Sequence, residues 1–154
     1  MTPRFAPFKV APDLIKALLG LEAAITAGGL EASLAELVKV RASQINGCAV
    51  CLHMHVTEAL AHGETDMRIF LLDAWRDSPL YTDRERAALA WTEALTLIAD
   101  TGASDDDYER AESQFSESEL VNLTVMIGAI NTWNRLQIAA RAVHPMKKPA
   151  SAAA

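Results

Sequence analysis

Three times in this chain a hydroxyl residue stands three positions ahead of a glutamate at the head of a helix-spaced apolar stretch: Ser33 before Glu36, Thr82 before Glu85 and Ser116 before Glu119. At that spacing the hydroxyl accepts from the glutamate's backbone N–H, and the carboxylate returns to the N–H of the hydroxyl residue, so each pair marks a helix start. Ser104 before Asp105-Asp106-Asp107 marks a fourth, its acidic first turn favoured by the helix dipole. The stops are as clear: Gly28-Gly29, Asn46-Gly47, His62-Gly63, Asp77-Ser78-Pro79 and Thr101-Gly102. The segments between them predict an all-α domain of six to seven helices. They open near Asp13, Ser33, Cys48, Thr65, Thr82, Ser104 and Ser116.

Residues 1–12 read as an extended N-terminal arm restricted by Pro3, Pro7 and Pro12, with Phe5, Phe8 and Val10 placed to pack on something. Residues 13–145 form the helical domain, and 146–154 are expected to be a disordered tail. Apolar residues cover the last helix too widely for one exposed face, from Leu120 and Leu123 through Met126, Ile130 and Trp133 to Ile138. It is therefore expected at the centre or at a subunit interface, and a homo-oligomer is expected. The three tryptophans, Trp75, Trp91 and Trp133, read as core.

A net charge of -6 with scattered cations argues against nucleic acid as a partner, because that affinity rests on Lys and Arg neutralising phosphates. No apolar run approaches the roughly 20 residues of a membrane span. The N-terminal stretch lacks the apolar core of a secretory signal, so the expected compartment is the cytoplasm, where thiols stay reduced.

That expectation bears on the only two cysteines, Cys48 and Cys51. Cysteines this close in sequence cannot staple distant parts of a fold, so a reactive or metal-binding role is favoured. On a helical wheel at about 100° per residue, Cys51 lies about -60° and His55 about -20° from Cys48, while His53 lies about 140° away. One histidine of the two therefore shares the cysteine face. A thiol with an ordinary pKa of about 8.5 is mostly protonated at neutral pH. The first turn of a helix and a nearby imidazole both favour the thiolate that does chemistry. A second thiol one turn away can condense with an oxidised first one and release water. Glu36 on the preceding helix can fold back across the Asn46-Gly47 break, although its place in a capping box also gives it a structural reading.

Glu36, Cys48, Cys51 and His55 together match E-x11-C-x2-C-x3-H. The chain thereby resembles the alkylhydroperoxidase D-like proteins of the carboxymuconolactone decarboxylase superfamily, in their short, single-motif branch. The segments Arg41-Ala42-Ser43-Gln44-Ile45-Asn46-Gly47-Cys48 and Tyr81-Thr82-Asp83-Arg84-Glu85-Arg86-Ala87-Ala88-Leu89-Ala90-Trp91 share the likeness, which runs from about Leu30 to Pro145. The resemblance implies a peroxidase acting on organic hydroperoxides or hydrogen peroxide. Cys51 would be the attacking thiolate, Cys48 the resolving cysteine, and His55 with Glu36 the proton relay. It also implies no cofactor, a dithiol reductant protein as partner, and trimers or hexamers. Val50 stands where many relatives have an aromatic residue, and His53 where many have an acidic one.

Three other readings compete. One is a thiol switch or binding protein that forms the same disulfide without turnover. Another is a lactone decarboxylase, which has no need of a redox cysteine pair. The third is a metal site on Cys48, Cys51 and a histidine, disfavoured because a tetrahedral site needs further ligands that the spacing does not supply.

Overall fold

The computed structural model describes residues 2–145; the tail expected at 146–154 lies outside the described residues. Among them there are nine α-helices and no strand. They are α1 (Pro7–Val10), α2 (Pro12–Ala27), α3 (Ala32–Asn46), α4 (Ala49–Ala61), α5 (Asp66–Phe70), α6 (Asp83–Thr96), α7 (Ile98–Thr101), α8 (Asp105–Glu112) and α9 (Glu117–Ala140), with a 3-10 turn at Leu72–Ala74 after α5. No helix among the described residues is long and apolar enough to cross a membrane.

The all-helical expectation holds, and the count differs because short pieces were read as arm or as continuous helix. Pro7 and Pro12 do not merely restrict an extended arm. Each stands in the first turn of a helix, where its missing N–H costs nothing. Thr82 and Ser116 form the capping boxes read from the sequence, and Ser104 caps α8. Ser33 does not: α3 begins two residues earlier than that reading, at Ala32, with Glu31 at its N-cap. Ser33 lies inside the first turn, which frees Glu36 to face inward. The helix expected from Thr65 to Arg76 is broken after Phe70, where the Tyr81 hydroxyl donates to the Arg68 carbonyl. The break lets Leu72 and Trp75 turn into the core. The helix expected to run from Thr82 to Asp100 ends at Thr96, and α7 is a separate turn.

Helix α3 organises the molecule because it is buried on two faces. Leu34 and Val38 join Trp91, Phe115, Leu123, Met126 and Ile127 in one core cluster. Leu37 and Val40 join Leu72, Trp75 and Leu89 in another. Consequently α3 packs against α4, α6 and α9 at once. Burying side chains of this size stabilises by about 1.5–3 kcal/mol each, which more than offsets the modest intrinsic helix preference of β-branched Val38 and Val40.

A small third cluster, Ala42, Cys48, Cys51 and Ile130, sits where α3, α4 and α9 meet. A polar network fixes that junction. Asn46 donates to Asn134 Oδ1 at 2.9 Å and to Asn131 Oδ1 at 3.0 Å, and Asn134 donates to Ser43 Oγ at 3.0 Å. Asn134 and Ser43 are fully buried, so these bonds satisfy groups that would otherwise be costly, and they tie the end of α3 to α9.

Candidate active site

Only Gly47 and Cys48 separate α3 from α4. Gly47 adopts φ 68° and ψ 33°, a left-handed conformation that glycine takes without penalty, and the Cys48 N–H closes the helix end onto the Ser43 carbonyl at 3.0 Å. Cys48 is thereby the N-cap of α4 and Cys51 lies in its first turn, with the Cys51 N–H directed at Cys48 Sγ at 3.4 Å. The two are joined by a disulfide with a Cα–Cα distance of 5.4 Å. An N-cap sulfur and a first-turn sulfur both lie in the positive end of the helix dipole, a setting that favours thiolates when the bond is reduced.

One turn on, His55 is buried on the same face, while His53 is exposed on the other and stacks on His144 at a centroid distance of 5.2 Å. The wheel reading's placing of His55 on the cysteine face and His53 off it therefore holds. His55 Nδ1 lies 2.8 Å from Glu36 Oε2. With Nδ1 donating to that carboxylate, Nε2 is left as a base. The other carboxylate oxygen, Oε1, accepts from Lys39 Nζ at 3.0 Å. Burial alone would push the Glu36 carboxyl up. The His55 hydrogen bond and the Lys39 charge outweigh it and hold the carboxyl below its ordinary value. Glu36 is thus a hydrogen-bond partner of His55 and not the helix cap that its capping-box spacing also allowed.

Cys51 and His55 open onto a cavity of about 330 Å³ formed by α1, α2, α4 and α9. Its walls are mainly apolar: Phe8, Leu19, Val50, Met54 and Trp133, with Lys39 and Glu58 among the charged groups at its edge. Phe8 and Trp133 stack at a centroid distance of 6.3 Å and an interplanar angle of 18°. The Trp133 Nε1–H donates to Glu22 at 2.9 Å, which fixes the indole. Trp133 is half-buried and faces this cavity, whereas Trp75 and Trp91 are the core residues expected. Sequence reasoning also passed over Lys39 and Glu58. Both were open to it, since each lies three positions along a helix from a motif residue, Lys39 from Glu36 and Glu58 from His55.

Glu36, His55 and Glu58 bring three donor atoms within 4.8 Å of one another, a grouping that could hold a cation. The Lys39 ammonium already pairs with Glu36 there and opposes a second positive charge. Cys48 and Cys51, joined to each other, offer no thiolate ligands in this state.

Residues 12–94, just over half the chain and including all four motif residues, match the carboxymuconolactone decarboxylase family. The chain belongs to that family. Among its relatives, the uncharacterized protein YdfG of Bacillus subtilis is 37% identical over 139 residues, covering 90% of this chain and 95% of its own length. The crystal structure of ATU0492 from Agrobacterium tumefaciens, a protein of unknown function provisionally assigned to AhpD antioxidant defence, superposes with a TM-score of 0.92. The two are 46% identical over 95% of this chain and 100% of that one. The debrominase Bmp8 shares the fold, with a TM-score of 0.74 at 21% identity over 87% of this chain and 72% of its own. Within the family the chemistry-bearing motif of this chain lies inside the matched region. The aromatic wall made by Phe8 and Trp133 lies outside it.

Proposed function

We propose that this chain is a CXXC-dependent thiol peroxidase that reduces hydroperoxides. The observation that carries the reading is that Cys51 and His55 line one cavity, with Glu36 hydrogen-bonded to His55 behind it and Cys48 joined to Cys51. In the reduced protein, His55 Nε2 takes the Cys51 thiol proton, and Glu36 stabilises the imidazolium that forms. The thiolate attacks the terminal oxygen of ROOH. A sulfur–oxygen bond forms, the O–O bond breaks, and the departing alkoxide receives the proton from His55 to leave as ROH. The Cys48 thiol then attacks the Cys51 sulfenic acid, expelling water and closing the disulfide. Two electrons from a dithiol donor protein restore the thiols.

The apolar walls suit a hydroperoxide with an organic substituent better than hydrogen peroxide, since they reward burial of carbon. The relative provisionally assigned to antioxidant defence supports the same reading. The reading further places the chain in the cytoplasm, a compartment that supplies reduced dithiols. The chain is further proposed to act as a homo-oligomer, a trimer or hexamer, because Val10, Leu14, Phe70 and Val121 are all at least 60% exposed.

Turnover distinguishes this from a thiol switch, which forms the same disulfide once. With dithiothreitol as donor, catalytic consumption of cumene hydroperoxide well beyond one equivalent supports the peroxidase. One equivalent and no more supports the switch. Release of bromide from 2,3,4-tribromopyrrole in place of peroxide consumption would move the assignment toward the activity named for the fold relative.

A further inference from the structure

The disulfide borders two cavities. The first, described above, exposes Cys51 and His55 and not Cys48. The second, of about 220 Å³, is lined by Gly47, Cys48, Ala49, Ile138 and Arg141 and contains neither Cys51 nor His55. Val50 and Gln137 line both and form the wall between them. Each cysteine therefore borders a cavity of its own.

We propose that the two cavities serve the two half-reactions: hydroperoxide meets Cys51 in the first cavity, and the reducing thiol attacks Cys48 in the second. The inference rests on the thiol-redox reading only in taking the disulfide as the oxidised state. A donor thiolate entering beside Ile138 and Arg141 attacks Cys48 Sγ. A bond forms between the donor sulfur and Cys48, and the Cys48–Cys51 bond breaks, leaving its electron pair on Cys51 Sγ. The donor's second thiolate then attacks the donor sulfur of the mixed disulfide. Cys48 leaves and takes a proton to become a thiol, and the donor departs as its own disulfide, having given up two electrons.

Leaving-group chemistry selects this direction. Exchange is faster when the expelled sulfur is the better-stabilised thiolate. Cys51 shares its cavity with His55 one helical turn away, and Cys48 has no imidazole beside it. Attack at Cys51 would require the donor to displace substrate from the apolar cavity and to expel the less-assisted sulfur. The Arg141 guanidinium, exposed and in no salt bridge among the described residues, offers an approaching thiolate a favourable charge at the entrance to the Cys48 side.

Two readouts test the assignment on protein oxidised beforehand with diamide, and the first needs no hydroperoxide chemistry to be correct. Glutathione is mixed with the oxidised protein, quenched in acid after the shortest practicable times, and located by fragmentation mass spectrometry. The adduct is expected on Cys48; an adduct mainly on Cys51 would overturn the proposal. In Ile138→Trp, which fills the second cavity, reduction by dithiothreitol is expected to slow about tenfold through lost access, while oxidation of the reduced protein by cumene hydroperoxide stays within about twofold. Equal slowing of both steps, or of neither, would also overturn it. Failure of the peroxidase reading shows separately, as slow oxidation of the unmodified protein.

Discussion

Glu36 divides its two carboxylate oxygens between His55 and Lys39, and the balance of those partners sets its behaviour. Burial pushes its carboxyl up, and the two partners more than reverse that, so the group stays ionised through the neutral range. Because the folded value is depressed below the ordinary 4.5, the His55 contact is present above that pH and is lost only as pH falls through the lower folded value. Glu36→Gln is expected to slow Cys51 oxidation by roughly 10²-fold, the usual scale of a lost acid–base partner, while disulfide formation with diamide persists. Lys39→Met leaves burial opposed by His55 alone. The Glu36 carboxyl, followed by carbon NMR, should then titrate at higher pH, and Lys39→Arg should restore it. An unchanged titration in Lys39→Met would remove Lys39 from the relay. Cys48, Cys51 and His55 were legible as a set because helical spacing alone puts them on one face. Trp133 and Phe8 were not, since nothing local in a sequence joins positions 8 and 133 to position 51.

The two-residue corner between α3 and α4 converts helical periodicity into a site. Its backbone needs one left-handed residue, and a side chain at Gly47 would meet nothing within 4 Å, so the requirement is conformational and not steric. Gly47→Ala should cost about 1–2 kcal/mol, lowering the melting temperature by roughly 2–8 °C in calorimetry. It should also slow alkylation of Cys51 if the corner sets the thiol's place at the helix end. Starts and stops of this kind were readable because caps and glycine turns are local events: Thr82, Ser104, Ser116, Gly63 and Gly102 all behave as read. The break after α5 was not readable, and the inward turn of Glu36 was readable only as one of two roles, beside a helix cap. Both answer to partners far along the chain, Tyr81 in one case and His55 in the other.

Across the whole molecule, α3, α6 and the 3-10 turn are held by one carboxylate. Glu93 Oε1 accepts from Arg41 Nε and from Trp75 Nε1, each at 2.8 Å, and Arg76 pairs with its other oxygen. Burial would raise the Glu93 carboxyl, and Trp75, Arg76 and Arg41 together hold it below its ordinary value. Its stabilisation is therefore present above about pH 4.5 and lost as pH falls through the folded value. Glu93→Gln should destabilise by about 2–3 kcal/mol at neutral pH, under the roughly 3–5 of a fully buried pair because Arg76 is exposed. The gap between parent and variant in denaturant unfolding should narrow as pH falls through the lowered Glu93 value. Light scattering of the intact chain is expected to give the mass of a trimer or hexamer, and a monomer across micromolar concentrations would contradict the proposed assembly.

The central claim is that Cys51 attacks a hydroperoxide and Cys48 resolves it. Single-turnover oxidation of the reduced protein by cumene hydroperoxide and hydrogen peroxide, with Cys48→Ser and Cys51→Ser alongside, addresses it most directly. The account predicts fast oxidation, faster with cumene hydroperoxide, with a sulfenic acid trapped on Cys51 in Cys48→Ser and none in Cys51→Ser. Oxidation no faster than that of a free thiol, or a sulfenic acid on Cys48 in Cys51→Ser, would contradict it.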